Sequence, residues 1–145
     1  MTLESWFSLA GAVAGAAWVA LILVPLRFEW PRRLAWGAAG ANALLYAGLI
    51  AGFWSSGRGD FSSLAGVASL FETPGLLLAG WVHYLVFDLL VGTWERGEAH
   101  RIGMPQWLLA PALVMTFLLG PIGWLLFLAL RLYRQRAVAV SAAHP

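Results

Sequence analysis

The chain contains no cysteine and no lysine, and only 11% of its 145 residues carry a charge. The absence of cysteine excludes disulfides, thiolate zinc sites, iron–sulfur clusters and a cysteine nucleophile. The formal net charge of +2 is small and its arginines are scattered, so we expect no nucleic-acid partner. The sequence also lacks a glycine-rich phosphate loop, a nucleophile elbow and an HExxH motif, which excludes the enzyme classes that depend on them.

Apolar residues make up 61% of the chain, and its mean hydropathy is +0.76. Soluble domains are nearer half apolar and a quarter charged, so this composition predicts an integral membrane protein. Four apolar segments are long enough to cross a ~30 Å hydrocarbon layer. We therefore predict an all-α, polytopic membrane protein with one domain over residues 1–145, in which four transmembrane helices form a bundle. The predicted spans are residues 6–26, 34–54, 75–94 and 106–130, with a polar tail at 131–145.

A further apolar stretch, residues 61–72, is too short to span and predicts a short interfacial helix between helices two and three. The first apolar run lacks a basic leader and is too long for a signal peptide, so we interpret it as a retained helix. All nine basic residues are arginine, a usage typical of bacterial genomes of high G+C content. Together these features predict a multi-pass protein of the bacterial inner membrane, with the lipid bilayer as its partner.

Four spans leave the orientation in the membrane undecided. One side then carries five arginines and the other four, whereas the positive-inside rule needs a clear excess. The five are Arg27, Arg32, Arg33, Arg96 and Arg101, and the four are Arg58, Arg131, Arg134 and Arg136.

Small residues and proline predict how the helices pack. Two GxxxG pairs occur, Gly11 with Gly15 and Gly48 with Gly52. They favour close packing of helices inside the bundle, and contact between copies in a homo-oligomer is the alternative interpretation. Pro121, within GPIG, predicts a kink near the middle of the fourth span because proline removes a helical hydrogen bond.

His83 and Asp88 lie near the middle of the third predicted span. A charged aspartate at that depth costs about 2.5–3.5 kcal/mol on insertion scales, so it needs a partner or a function. A helix–helix hydrogen bond and a role in proton transfer or ligand binding are both open. On a helical wheel Asp88 shares a stripe with Trp81, Tyr84 and Glu95, whereas His83 points about 140° away. The two residues alone therefore do not predict a metal site.

Asn42 and Tyr46 are a second polar pair, one turn apart in the second span. Asn42 is predicted either to donate a hydrogen bond to Asp88 or His83, or to clamp two helices together.

The loop after the third span contains Glu95, Glu98, His100 and Arg101. We expect Glu98 to be solvated. Glu95 and His100 are candidates to close one end of a cavity that begins at Asp88. A metal site built from these two and His83 would require the loop to fold back, and we expect no metal.

Three stretches carry a resemblance to a known family: GWVHYLVFDLLVG, WERGEAHRIGMPQWLLAP and TFLLGPIGWLL. They resemble the neoxanthin-synthase-like family, which is named from plants deficient in abscisic acid and has bacterial members. The resemblance covers essentially the whole chain and is strongest over residues 80–126.

This resemblance implies a small four-helix membrane protein associated with carotenoids. In the plant relatives the implied reaction is an isomerisation, in which an epoxide opens and a neighbouring proton is lost to give an allene and a hydroxyl. Such chemistry needs an acid and a base but no redox cofactor. His83 and Asp88 are then the candidate catalytic residues. The candidate substrate-binding residues are Asn42, Tyr46, Trp81, Tyr84, Glu95, His100 and Arg101.

Three classes of function remain open. The first is an isomerase that acts on a carotenoid or another isoprenoid by acid–base chemistry. The second is a non-catalytic protein that binds a long apolar isoprenoid such as a carotenoid, or assists another enzyme. The third is a small transporter, ranked last because the first and fourth spans offer almost no polar path.

Overall fold

The computed structural model describes the backbone of residues 1–143 and the side chains of residues 1–136. Over this part of the chain the regular elements are all helices, which confirms the all-α class. A 3₁₀ turn at Trp54–Ser56 extends the second helix. The six helices are α1 Leu3–Leu23, α2 Trp30–Phe53, α3 Leu64–Phe71, α4 Pro74–Arg101, α5 Gln106–Leu119 and α6 Pro121–Ala143.

Proline and serine mark where several helices begin. Pro31, Pro74 and Pro121 each lie in the first turn of a helix, where the missing N–H of proline would have had no partner. Ser63 caps α3 by accepting a hydrogen bond from the backbone N–H of Gly66. Helix α3 falls inside the predicted segment 61–72, and its place at a membrane interface stays a prediction.

Three helices are long and apolar enough to cross a membrane: Leu3–Leu23, Trp30–Ser56 and Pro74–Arg101. They coincide with the first three predicted spans. Large apolar side chains remain exposed on them, including Val19 at 58% and Leu44 at 78%. Apolar surface of this extent is what lipid covers in a membrane protein.

The fourth predicted span, residues 106–130, is not one helix, and the prediction of a four-helix bundle is not confirmed. Helix α5 ends at Leu119, Gly120 adopts a positive φ of 46°, and α6 begins at Pro121. The guanidinium of Arg134 donates to the carbonyl of Gly103 at 3.2 Å. In a continuous helix these two residues would be about 46 Å apart. The chain therefore reverses, and α5 and α6 form an antiparallel hairpin instead of a kinked span.

The hairpin is short, and its return helix is longer than predicted. Helix α5 has 14 residues, or about 21 Å at 1.5 Å per residue. That is less than the ~30 Å needed to cross the hydrocarbon layer. Helix α6 continues to Ala143, so most of the segment predicted as a polar tail is helical.

The chain divides into two compact units. Unit one comprises Met1–Gly15 and Gly37–Phe87, and unit two comprises Ala16–Trp36 and Asp88–Pro145. The core of unit one includes Ala10, Leu49 and Val82, and that of unit two includes Trp18, Leu109 and Phe127.

Candidate functional site

In unit one, His83 lies on an exposed face of α4 among aromatic rings. Its imidazole stacks on Phe87 with ring centroids 4.5 Å apart, and it contacts the ring of Tyr46 at 5.6 Å. His83 and Tyr46 line a cavity of about 260 Å³, whose other walls include Trp54, Phe61 and Phe71. The cavity is therefore mainly apolar, and an imidazole and a phenol are among its polar groups.

Glycine allows helix α3 to approach α4 beside this cavity. A Cβ atom at Gly80 would lie 2.8 Å from the ring of Phe71, which is closer than ordinary packing permits. A side chain at Gly80 would therefore require the ring of Phe71 to shift.

Asn42 has a structural partner in unit one. Its side chain is only 3% exposed, and its amide donates to the carbonyl of Ala10 at 3.3 Å. This contact supports the helix-clamp interpretation. Trp81 packs in a tilted arrangement against the rings of Phe7 and Tyr84, with centroids 5.6 and 5.5 Å away. These three rings lie away from the aromatic contacts of His83.

In unit two, Asp88 faces the reversal of the α5–α6 hairpin. A Cβ atom at Gly120 would lie 2.9 Å from Asp88 Oδ1, so only glycine leaves room for this carboxyl. Pro121, the next residue, begins α6, and a helix N-terminus favours nearby negative charge. Asp88 also lies at the middle of α4, the longest of the helices that could span.

Glu95 lies two turns beyond Asp88 on α4 and faces the same hairpin. Its side chain is fully buried, and it accepts hydrogen bonds from the hydroxyl of Thr116 at 2.9 and 3.0 Å to its two oxygens. Thr116 and Gly120 are one turn apart on α5, while Asp88 and Glu95 are about 10 Å apart along α4. Two carboxyls therefore face one side of the hairpin. We call the residues Asp88, Glu95, Thr116 and Gly120 the carboxyl cluster.

No cation neutralises Glu95 within the described side chains. The ion pairs found there are Arg32–Glu29, Arg101–Glu98 and Arg131–Glu98. The partner of Glu95 is instead a neutral hydroxyl.

Glu98 was expected to be solvated, and that prediction is wrong. Its side chain is 9% exposed and binds both Arg101 and Arg131, at 2.6 and 2.7 Å. The physical reason is the return of α6 along α4, which brings Arg131 to the end of α4. Ten residues separate Asp88 from Glu98, and ten separate Pro121 from Arg131, so α6 runs parallel to α4 and the contacts at both ends are in register.

Arg96 is a buried structural residue that the sequence interpretation treated only as a loop charge. Its guanidinium is 1% exposed and donates to four backbone carbonyls at 2.7–3.2 Å. These carbonyls belong to the end of α1 and the following turn, where helical partners are missing. They are the carbonyls of Leu21, Val24, Pro25 and Phe28.

The remaining predicted residues do not join the carboxyl cluster. His100 is exposed at the end of α4, and Arg101 is exposed and held by Glu98. Within the described residues no group of three or more His, Asp or Glu side chains is arranged to hold a metal ion. That His83 and Asp88 act together as acid and base stays a prediction.

Sequence reasoning missed two members of the carboxyl cluster, Thr116 and Gly120. Thr116 is the sole polar side chain well inside an otherwise apolar segment, a signal that it has a buried polar partner. Gly120 directly precedes a proline, which is a common signal for the end of one helix and the start of another.

The chain matches the family model described as ABA4-like, ABA DEFICIENT 4-like, over residues 5–127. No curated protein and no solved structure matches it. The matched range contains the whole carboxyl cluster. It also contains the residues that line the cavity of unit one, including Tyr46 on α2 and His83 on α4. It covers well over half of the chain and indicates a role related to carotenoids or abscisic acid. The resemblance found in the sequence is thereby confirmed: the protein belongs to the ABA4-like family.

Proposed function

We propose that this is a multi-pass protein of the bacterial inner membrane that acts on a carotenoid or a related isoprenoid by acid–base proton transfer. The observation that carries the proposal is the carboxyl cluster. Asp88 and Glu95 occupy an apolar helix long enough to cross a membrane, and both face the point where the hairpin reverses. Carboxyl groups at such depth are rare and commonly mark proton-transfer or ligand sites.

The surroundings of the two carboxyls differ, as acid–base catalysis requires. Glu95 is closed off from solvent and has the Thr116 hydroxyl as its hydrogen-bond partner. Asp88 is half-buried beside Gly120. Pairs of carboxyls in unlike environments can hold opposite protonation states, so that one donates a proton and the other accepts one.

The proposed chemistry is an isomerisation in which atoms and charges balance. An acid protonates an oxygen of the substrate, a carbon–oxygen bond breaks, and a base removes a proton from a neighbouring carbon. For an epoxide of the type the family resemblance implies, the products are an allene and a hydroxyl. A cyclisation or double-bond shift of an isoprenoid would use the same two proton transfers. Which carboxyl serves as acid, and whether His83 takes part, stay predictions.

The second candidate function is carotenoid binding without catalysis, and the cavity of unit one favours it. Its volume of about 260 Å³ is below the roughly 300–1,000 Å³ typical of pockets that enclose a whole ligand. It fits one cyclic end group of a long molecule. Tyr46 and His83 would orient a hydroxyl on that ring.

Pigment profiling separates the two functions. The protein is expressed in a carotenoid-producing bacterium, and pigments are compared by chromatography with those of a strain carrying an empty vector. New isomers of unchanged mass support the isomerase. Unchanged cellular pigments, with pigment copurifying with the protein, support binding alone. Neither new isomers nor bound pigment would contradict both proposals.

Variants then assign the site. Asp88→Asn and Glu95→Gln should each abolish isomer formation while the protein remains in the membrane fraction. Glu72→Gln is the matched control, because it removes an exposed carboxyl at the end of α3. Full activity in both cluster variants would show that the cluster is structural.

A further inference from the structure

We propose that the chain crosses the membrane three times with its arginine-bearing face in the cytoplasm, where it binds the headgroups of anionic phospholipids. This inference rests on the membrane insertion proposed above and is independent of the isomerase chemistry.

The reversal at Gly120 decides which side each segment occupies. Three crossings by α1, α2 and α4 alternate, so the loop after α1 and the end of α4 lie on one side. A fourth crossing would carry the chain back to the side where α1 begins. Because α5 and α6 instead form a hairpin, and Arg134 contacts Gly103, the end of α6 returns to the side where α4 ends.

This topology collects nearly all the basic residues on one side. Arg58 alone lies on the other, in the segment between α2 and α3. Positive residues close to the ends of spans are retained in the cytoplasm, so an excess of this size sets the orientation. The arginines of the basic side are Arg27, Arg32, Arg33, Arg96, Arg101, Arg131, Arg134 and Arg136.

Not every arginine of this side is available to a partner. Arg96 is buried, three others are paired with Glu29 or Glu98, and Arg134 donates to the carbonyl of Gly103. Arg27, Arg33 and Arg136 are exposed and have no carboxylate within ion-pair distance in the part of the chain that the structure describes. These three residues are the basic surface of the proposal.

Exposed tryptophans at the same helix ends indicate that the partner is a lipid. Trp30 at the start of α2, Trp94 near the end of α4 and Trp107 at the start of α5 are 50%, 45% and 74% exposed. Indole rings prefer the boundary between headgroups and acyl chains. Arginines beside such rings lie at the level of the phosphates, and the anionic lipids of the cytoplasmic leaflet complement their charge.

Cysteine labelling tests the orientation. Because the chain has no native cysteine, only the introduced cysteine can react with the label. Ser55→Cys reports the side between α2 and α3, and Gln135→Cys reports the end of α6; both positions are exposed. The variants are expressed in a Gram-negative host, and spheroplasts are prepared so that the reagent reaches the periplasmic face of an intact inner membrane. A maleimide that cannot cross the membrane should then label Ser55→Cys. It should label Gln135→Cys only after lysis. Labelling of Gln135→Cys from outside would overturn the proposed topology.

Alkaline carbonate extraction separates this failure from failure of the underlying proposal. Protein released into the carbonate supernatant would contradict membrane insertion itself. Protein retained in the pellet but labelled in the opposite pattern would contradict only the orientation.

Thermal unfolding in neutral detergent tests the lipid contact. Phosphatidylglycerol should raise the midpoint of the wild type and of Arg58→Gln more than an equal mole fraction of phosphatidylcholine does. The triple variant Arg27→Gln, Arg33→Gln, Arg136→Gln should lose most of this difference. An equal shift with both lipids, an undiminished difference in the triple variant, or the same shift from inorganic phosphate alone would overturn headgroup binding.

Discussion

Two glutamates three residues apart on α4 have opposite environments. Glu95 is fully buried and is bound by a neutral hydroxyl, whereas Glu98 is held by two arginines. A paired carboxylate is held in its charged form, while a buried one without a cation is expensive to charge. Glu98 therefore fastens α6 to α4, and Glu95 is the residue suited to carry a proton.

Arg96 is the clearest structural residue in the chain. Its planar guanidinium has five N–H donors, which suits the four carbonyls that converge at the end of α1. Because these carbonyls lie at the end of α1 and in the turn that follows, one side chain holds the two segments together.

We predict that Arg96→Met lowers the free energy of unfolding by at least about 3 kcal/mol, because an unsatisfied buried polar group costs about 1–3 kcal/mol. Arg96→Lys should recover part of this loss, since lysine keeps the charge but lacks the fork of donors. The measurement is chemical unfolding in mixed detergent micelles.

The matched control is Arg101→Met, which removes an exposed arginine paired with Glu98. It should cost less than about 1 kcal/mol, as exposed ion pairs do. Equal losses for Arg96→Met and Arg101→Met would contradict the capping role.

At the scale of elements, the motif GPIG builds the hairpin. Gly120 supplies a positive φ and leaves space for Asp88, Pro121 starts α6, and Gly123 allows α6 to pack on the backbone of α5 at Thr116. A side chain at Gly123 would clash with the backbone nitrogen of Thr116. The three positions thus perform separate tasks in one reversal.

Alanine substitutions at three glycines should separate these tasks. Gly103→Ala should cost about 1 kcal/mol, because φ there is +63° but nothing lies within 4 Å. Gly120→Ala should cost roughly 1–3 kcal/mol, since it adds a contact with Asp88 to the strain of a positive φ of 46°. Gly123→Ala should be the most damaging, because the clash is with backbone. Thermal unfolding gives the order, and a Gly123→Ala protein as stable as Gly103→Ala would contradict the hairpin.

The turn before α3 gives a prediction about how stability depends on pH. Hydrogen bonds from the hydroxyl and backbone N–H of Ser62 lower the pKa of Asp60 below its usual value. A group whose pKa is lowered on folding stabilises the fold above its unfolded pKa and loses that contribution as pH falls through the folded pKa. The wild type should therefore lose more thermal stability than Asp60→Asn between pH 6 and about 3. Identical pH profiles would show that this turn contributes nothing.

The sequence predicts elements that depend on local properties, but not those that depend on contacts between distant positions of the chain. Runs of apolar residues bounded by proline or arginine predict α1, α2 and α4 correctly, because length and composition are local properties. Residues 106–130 have the same composition, yet the hairpin depends on contacts between positions 31 and 33 residues apart, Gly103 with Arg134 and Glu98 with Arg131. Local apolarity carries no information about such pairings.

For the candidate site, too, local features were predicted from the sequence and long-range contacts were not. Depth in an apolar helix singled out Asp88 and His83, and the family match indicates a role related to carotenoids or abscisic acid. The environment of Glu95 depends on Thr116, which is 21 residues away. Helical periodicity placed Asp88 and Glu95 on one stripe of α4 but gave no means of identifying the element that faces them.

At the scale of the whole molecule, three apolar helices and a helical hairpin replace the predicted four-helix bundle. The change brings two features of the sequence, the apolar stretch around Asp88 and the GPIG motif, into direct contact within unit two. It also brings α6 back to the end of α4, where Arg131 binds Glu98. The α5–α6 hairpin, in place of a single fourth span, thus underlies both the candidate site and the proposed orientation.

The central claim is that the carboxyl cluster transfers protons during isomerisation of an isoprenoid. The most direct test is the initial rate of isomer formation by protein reconstituted in liposomes with the carotenoid extract of the producing host. Asp88→Asn should lower this rate by at least about 100-fold, the lower range for loss of a general acid or base, whereas Glu72→Gln should leave it unchanged. An Asp88→Asn rate within about threefold of the wild-type rate, well short of that range, would contradict the claim.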